Sequence, residues 1–260
     1  MDPDRHPIAE YFNVDPEIAH LVPRLLADFD ALGSYPSLLV ELLEQAGLER
    51  GARLLDLGCG KGAVAIAAAR ALEARVDGVD LVPAFVEQAR ARAEAAGVAG
   101  RCHFEVGDLR QSLTLPGRPA GYDAALLVSV GEVLGPLGQA VGAMRRVVRP
   151  GGLLVVDDGY LLGDTAPDLA GYGQSLTREQ ALAQLTSHGD PIVVDQPVTA
   201  AQVAGQNAQY NRWIGARAEQ LAREFPQHAA ALQAYVEREL EESRMLETDF
   251  ACVTWILRRA

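Results

Sequence analysis

Apolar positions along the chain follow two rhythms that alternate repeatedly. Short, nearly continuous apolar runs occupy 52–57 (ARLLDL), 75–80 (RVDGVD), 102–106 (CHFEV), 122–129 (YDAALLVS) and 152–157 (GLLVVD). Between them lie stretches at helical spacing, 61–73, 83–96 and 136–148. Pro83 suits the first turn of the second stretch, and Gly97 can end it. Strands that are apolar on both faces and alternate with helices predict a mostly parallel sheet covered on both sides. That is a doubly wound α/β fold.

The flanks read differently. Upstream, 16–31 carries Ile18, Leu21, Val22, Leu25 and Leu26 at helical spacing, and 36–46 carries Leu38, Leu39, Leu42 and Leu43. Downstream, Thr177 is an N-cap with Gln180 three residues on, and Gly189 is a stop. "PIVVDQPV" reads as a strand. Thr199 opens a long helical stretch broken at Pro226 and resumed to about Leu246, with Leu232, Tyr235, Val236 and Leu240 on one stripe. A last strand covers 250–259 (FACVTWILRR). The expected organisation is an N-terminal helical lid over 1–50 and an α/β domain over 51–260, with a helical insertion at about 199–248.

Charge and cysteine usage narrow the function classes. Thirty-five acidic residues against 23 basic give a net charge of −12, which repels phosphate backbones and disfavours a nucleic-acid partner. Cys59, Cys102 and Cys252 are far apart and in no metal-ligand spacing, so reduced thiols and no metal are expected. The opening "MDPDRHPIAEYF" lacks the apolar run of a signal peptide, and no run is long enough to span a bilayer. These features point to a soluble cytoplasmic protein. The five histidines are scattered, and His103, inside a predicted strand, reads as core.

One stretch carries the candidate chemistry. "LLDLGCGKG" places Gly58, Gly60 and Gly62 at every second position after Asp56, where an apolar run ends. Glycine-rich turns hold dinucleotides, triphosphates and S-adenosylmethionine alike. The dinucleotide spacing G-x-G-x-x-G fails, because the third glycine arrives one position early. The triphosphate pattern fails as well, since Lys61 is followed by Gly62 and Ala63 rather than Ser or Thr. Asp56 before the turn and an acidic residue ending the next strand add specificity.

Four segments in order, "LLDLGCGKG", "VDGVDL", "FEVGDL" and "RRVVRPGGLLVVDD", resemble the motifs of class I S-adenosylmethionine-dependent methyltransferases of the small-molecule type. The resemblance covers roughly 53–158. It implies seven strands with the last antiparallel, and S-adenosylmethionine as cofactor. By resemblance, Asp56 holds the cofactor amino group, and the backbone of Gly58, Cys59 and Gly60 lies against its methionine portion. Asp80, followed by Leu81, accepts both ribose hydroxyls. Asp108, flanked by Gly107, accepts from the adenine amino group while the Leu109 N–H reaches a ring nitrogen. Val128 and Ser129 pass beneath the sulfonium.

The acceptor side has no comparable motif. The [DN]-P-P-Y sequence of amide and adenine amino methyltransferases is replaced by "VSVGEVLGP", and no Pro-Cys pair supplies a cytosine-attacking thiol. Methyl transfer needs mainly an aligned nucleophile in a water-poor site, so proximity and orientation dominate. Glu132 after the fourth strand, and Asp157, Asp158 and Tyr160 after the fifth, fall on the ligand-binding edge of such a sheet. Of these, Glu132, Asp158 and Tyr160 are the candidate catalytic residues. Tyr11 and Tyr35, the latter in the "GSYP" turn of residues 33–36, are candidates for the substrate pocket. Tyr210 and Trp213 join them, on one helix face with Gln206 and Arg217. The expected function is methyl transfer to a small-molecule acceptor. Alternatives are a non-catalytic S-adenosylmethionine-binding regulator, an aminopropyl transferase and a nicotinamide-dependent oxidoreductase.

Overall fold

Each apolar run of the alternating region becomes a strand of one sheet. The computed structural model describes residues 7–112, 121–165, 167, 169, 172 and 175–260. Its strands are β1 (Arg53–Leu57), β2 (Arg75–Asp80), β3 (Cys102–Val106), β4 (Tyr122–Val128), β5 (Val148–Leu161), β6 (Ile192–Pro197) and β7 (Phe250–Arg258). They hydrogen-bond in the order 3-2-1-4-5-7-6. Strand β1 pairs in parallel with β2 and β4, β2 with β3, and β4 with β5, whereas β6 and β7 are antiparallel. This is the seven-stranded, mostly parallel, doubly wound sheet expected. The winding reverses between β1 and β4, and in such sheets the ligand crevice opens at that point, beyond the carboxyl ends of the strands.

The sheet is held by apolar side chains packed beneath the flanking helices. Leu54, Ala124, Leu126, Leu153 and Val155 share a buried cluster with Leu39 and Leu43 of the helix Pro36–Gln45. Ala65, Ala68 and Ala69 of the helix Ala63–Ala71 join it, their small side chains letting that helix approach closely. Each fully buried leucine contributes roughly 1.5–3 kcal/mol.

The chain divides into two compact units. A sheet unit comprises Asp30–Asp158, Arg178–Pro197 and Val253–Ala260. A helical unit comprises the described residues up to Phe29, those within Gly159–Thr177, and Val198–Cys252. In the helical unit, Asn207 donates to the Ser243 carbonyl and the Glu247 carboxylate, tying the helix Ala200–Glu224 to the helix Ala229–Thr248. Thr199 caps the first of these in a reciprocal box. The Gln202 N–H donates to its Oγ1 at 3.3 Å, and its own N–H donates to Gln202 Oε1 at 3.1 Å. Thr199→Ala is expected to lower stability by about 1 kcal/mol, read as a shift of the urea midpoint at unchanged slope. No helix among the described residues is long and apolar enough to cross a membrane.

Three local expectations are corrected. Residues 16–31 do not form one helix: a 3₁₀ turn, Pro16–Leu21, is followed by a short α-helix, Val22–Leu25. Pro23 is the reason, because it lacks the N–H that a continuous helix would need there. Strand β5 is longer than 152–157, starting at Val148 and running to Leu161. Its register against β4 shifts between Tyr122 and Ala124, which absorbs Pro150 and Gly151. His103 is exposed, not core, because β3 is an edge strand with one flank open.

Candidate functional site

The glycine turn folds as it does because its surroundings leave no room for a Cβ. Gly58, Gly60 and Gly62 all adopt positive φ, at 79°, 49° and 75°. A Cβ at Gly58 would lie 2.5 Å from Val130 Cγ2, and one at Gly60 would lie 2.9 Å from Leu32 Cδ1. The turn is fixed to β2 by two bonds, from the Gly58 and Cys59 N–H groups to the Val79 carbonyl at 2.8 and 3.0 Å. The turn thereby packs closely at the end of β1, with Gly58 half-buried and Gly60 and Gly62 buried, where the helix Ala63–Ala71 begins.

Two carboxylates flank this turn in contrasting states. Asp56 is 3% exposed, receives a hydrogen bond from the Ala65 N–H, and leaves Oδ2 without a partner among the described residues. Burial, reinforced by the neighbouring charge of Asp80, lifts its pKa to about 7. An orphaned buried carboxylate oxygen is costly unless a cationic or donor group arrives to meet it. Asp80 is cradled instead: the Gly60 N–H donates to Oδ2 at 2.8 Å and the Val82 N–H to Oδ1 at 2.9 Å. Burial pushes its pKa up while these backbone donors hold it down.

A solvent-open cleft of about 320 Å³ runs from the glycine turn to Val128 of β4. Asp56, Gly58, Cys59, Gly60 and Val128 line it, so five of the expected cofactor residues are brought together. Burial also raises the Cys59 thiol well above its usual range, consistent with a filler and not a nucleophile. Asp30, Leu32, Ser34 and Lys61 line the cleft as well, Ser34 from the "GSYP" turn and Lys61 from the glycine stretch. Arg92 fastens this segment, pairing with the Asp30 carboxylate and donating to its carbonyl at 2.7 Å. Lys61 is buried, with its ammonium 5.6 Å from the Phe85 ring centroid. Nothing in the sequence spacing marks Asp30 or Leu32, because they reach the turn from a separate loop.

The remaining expected residues are not among those lining this cleft. Asp108, at the end of β3 beside Gly107 and Leu109, is gripped by the Arg110 guanidinium at 2.9–3.1 Å and accepts the Arg110 N–H. Leu81 follows Asp80 and is half-buried. Ser129 is exposed, with a positive φ of 54°. Glu132 is exposed on the 3₁₀ turn Gly131–Leu134, and Asp158 and Tyr160 are half-buried on the extended end of β5. The four expected pocket aromatics divide between the units. Tyr35 precedes the helix Pro36–Gln45 in the sheet unit, while Tyr11, Tyr210 and Trp213 belong to the helical unit. There Tyr210 and Trp213 stack at 6.0 Å with Phe29 against both, and Tyr11 meets Phe12 edge-on. Arg217, on the same face, holds Asp28 in a two-point pair. No group of three or more metal-ligating side chains occurs among the described residues.

Comparison with known proteins agrees with this geometry. Residues 54–152 match a protein-family profile described as a methyltransferase domain. The 27-O-demethylrifamycin SV methyltransferase of Amycolatopsis mediterranei is 34% identical over 119 residues, covering 46% of this chain and 43% of that protein. The ribosomal protein L11 methyltransferase of Tolumonas auensis is 31% identical over 140 residues, covering 53% and 44%. The chain thus spans about half or less of the length of these curated relatives. Among solved structures, an S-adenosylmethionine-dependent methyltransferase from Geobacter sulfurreducens in complex with S-adenosyl-L-homocysteine superposes with a TM-score of 0.78. The identity is 21%, and 93% of this chain and 98% of that one are covered. That likeness establishes the shared fold.

Proposed function

We propose that this chain, whose residues 54–152 match a methyltransferase-domain profile, transfers the methyl group of S-adenosylmethionine to a small-molecule acceptor. The observation that carries the reading is Asp56 Oδ2, buried beside the glycine turn without a partner among the described residues. An ammonium group satisfies that oxygen, and a methionine tail fits against glycines that present no Cβ. Val128, lining the far end of the same cleft, then lies beneath the sulfonium.

Other residues of the chain complete the hold. Asp80, kept in place by backbone donors, offers its carboxylate to the two ribose hydroxyls, with Leu81 beside it. Asp108 and the Leu109 N–H meet the adenine edge, and Arg110 gives up part of its grip when they do. S-adenosylmethionine supplies an electrophilic methyl group on a positively charged sulfur. The protein's part is to align the acceptor and keep water away. Glu132, Asp158 and Tyr160, which follow the strand ends, are candidate orienting groups. The Phe29–Tyr210–Trp213 stack gives the helical unit a surface suited to a planar molecule.

A small acceptor is favoured over a polymer by the net charge of −12 and by the relative named for a rifamycin. The test is a pair of measurements on the full chain. S-adenosylhomocysteine is expected to raise the melting temperature, whereas NAD leaves it unchanged. Label from [methyl-³H]S-adenosylmethionine is expected to appear in small molecules of a metabolite mixture. A selective shift with NAD, or label found only in macromolecules, overturns the reading.

A further inference from the structure

At the carboxyl end of the sheet, three strands converge on a carboxylate that the cofactor does not require. Asp157 of β5 is in register with Val128 of β4, and Leu126 of β4 with Asp56 of β1, so Asp157, Val128 and Asp56 point to one face. Asp158, the next residue, points to the other. Thr254 of β7, only 1% exposed, donates from Oγ1 to Asp157 Oδ2 at 2.7 Å. The Ser129 hydroxyl approaches Oδ1 at 3.4 Å, and the Ser129 N–H donates to the Asp157 carbonyl at 3.3 Å.

Ser129 holds this place at a cost. Its φ of 54° is left-handed, strained by roughly 1–2 kcal/mol for a residue with a Cβ. Such strain persists where the surroundings over-determine it, which is common at functional sites. The result is an exposed hydroxyl against a half-buried carboxylate, one strand over from the cleft. Burial raises the Asp157 pKa to about 6, and the Thr254 and Ser129 hydroxyls keep it from rising further. The neighbouring strands carry titratable groups, among them Asp56 on β1, Asp123 on β4, Asp158 on β5 itself and Cys252 on β7. None of them contributes to that shift.

We propose that Asp157 is the proton acceptor of the methyl transfer, with Thr254 and Ser129 as positioning residues, and that the acceptor therefore presents a protic nucleophile. This rests on the methyl-transfer reading above. The acceptor's O–H, N–H or S–H proton passes to Asp157 as its lone pair bonds the methyl carbon. The sulfonium C–S bond breaks with its electron pair remaining on sulfur, and Asp157 later releases the proton to water. Glu132 is too exposed to hold a proton in a water-poor site, and Asp158 faces away from Val128. A carboxylate near neutrality is ionised at working pH yet still able to hold a proton in passing.

The test uses the full chain, with Asp157→Asn and Thr254→Val as variants. In ¹³C-aspartate NMR, assigned by the Asn variant, the Asp157 carboxyl is expected to titrate near pH 6. It moves higher in Thr254→Val, which has lost a hydrogen bond to the ionised form. Label transfer is measured at saturating S-adenosylmethionine on a panel of phenols, alcohols, primary amines, tertiary amines and thioethers. The wild type is expected to methylate only protic members, with a rate that rises through pH 6. Asp157→Asn loses roughly 10²-fold and its pH limb, while S-adenosylhomocysteine affinity by calorimetry changes less than about twofold. Thr254→Val shifts the limb to higher pH. Titration near the ordinary value of about 4, or transfer confined to tertiary amines or thioethers, overturns the proposal. So does an Asn variant that keeps its rate or loses cofactor affinity in proportion. No transfer by the wild type to any acceptor would instead sink the methyl-transfer reading, and this inference with it.

Discussion

Asp56→Asn is expected to weaken S-adenosylhomocysteine binding at pH 8 by about 10- to 100-fold, the worth of a hydrogen bond to a buried charged group. The wild-type affinity should itself depend on pH. In the free protein Asp56 is protonated below about pH 7, while the ligand's ammonium group stays charged throughout. Binding draws on the carboxylate form, so affinity rises with pH up to about 7 and levels off above it. Below that point it falls by up to about tenfold per unit. The asparagine variant has no proton to lose, and its affinity should be flat across the same range. Calorimetry at pH 5.5, 7 and 8.5 separates the outcomes. An unchanged wild-type slope in the variant would remove Asp56 from the cofactor site.

The same substitution should make the free protein more stable. Asp56 has a folded pKa of about 7 against a model value of 3.8, so between those values the folded state holds a proton that the unfolded chain releases. Stability therefore falls as pH rises through that window, and the loss is complete above about pH 7. Asparagine carries no charge to bury. At pH 8 its melting curve should lie above the wild type's, by on the order of 2–4 kcal/mol. Weaker binding together with higher stability is the mark of a group held in an unfavourable state for its ligand. A structural aspartate would lose both together.

The sheet was legible in the sequence because both signals that encode it are local. Each strand is a short apolar run, and each flanking helix begins or ends at a proline or glycine. Asp56, Gly58, Cys59, Gly60 and Val128 were legible for the same reason, since spacing and strand ends position them. What escaped depends on contacts distant in sequence. Leu32 reaches Gly60 from 28 residues upstream, and Thr254 reaches Asp157 from 97 residues downstream. No periodicity records such meetings. The choice between Asp157 and Asp158 is similar, because two adjacent acidic residues at a strand end look alike until register assigns each a face. Pro23 was legible in principle. The apolar spacing across 16–31 simply reads the same whether one helix or two short turns carry it.

Gly62→Ala should cost stability beyond what its backbone conformation alone demands. Two costs coincide at this position. The backbone sits at φ 75°, which an alanine tolerates only with roughly 1–2 kcal/mol of strain. The added Cβ would also lie 2.9 Å from Phe104 Cζ and 3.0 Å from Ala89 Cβ. Neither neighbour can retreat, because Phe104 and Ala89 are both buried in the core between the sheet and the helix Pro83–Ala95. Overpacking of that kind costs roughly 1–3 kcal/mol, so a total loss of about 2–4 kcal/mol is expected. Gly97→Ala isolates the first cost, since its φ of 71° is similar and nothing lies within 4 Å of its would-be Cβ. Urea unfolding of both variants therefore yields the steric part as a difference. Equal losses would mean that Phe104 yields to the methyl group. A larger loss at Gly62 would mean that the third glycine is kept by the packing of β3 and its helix.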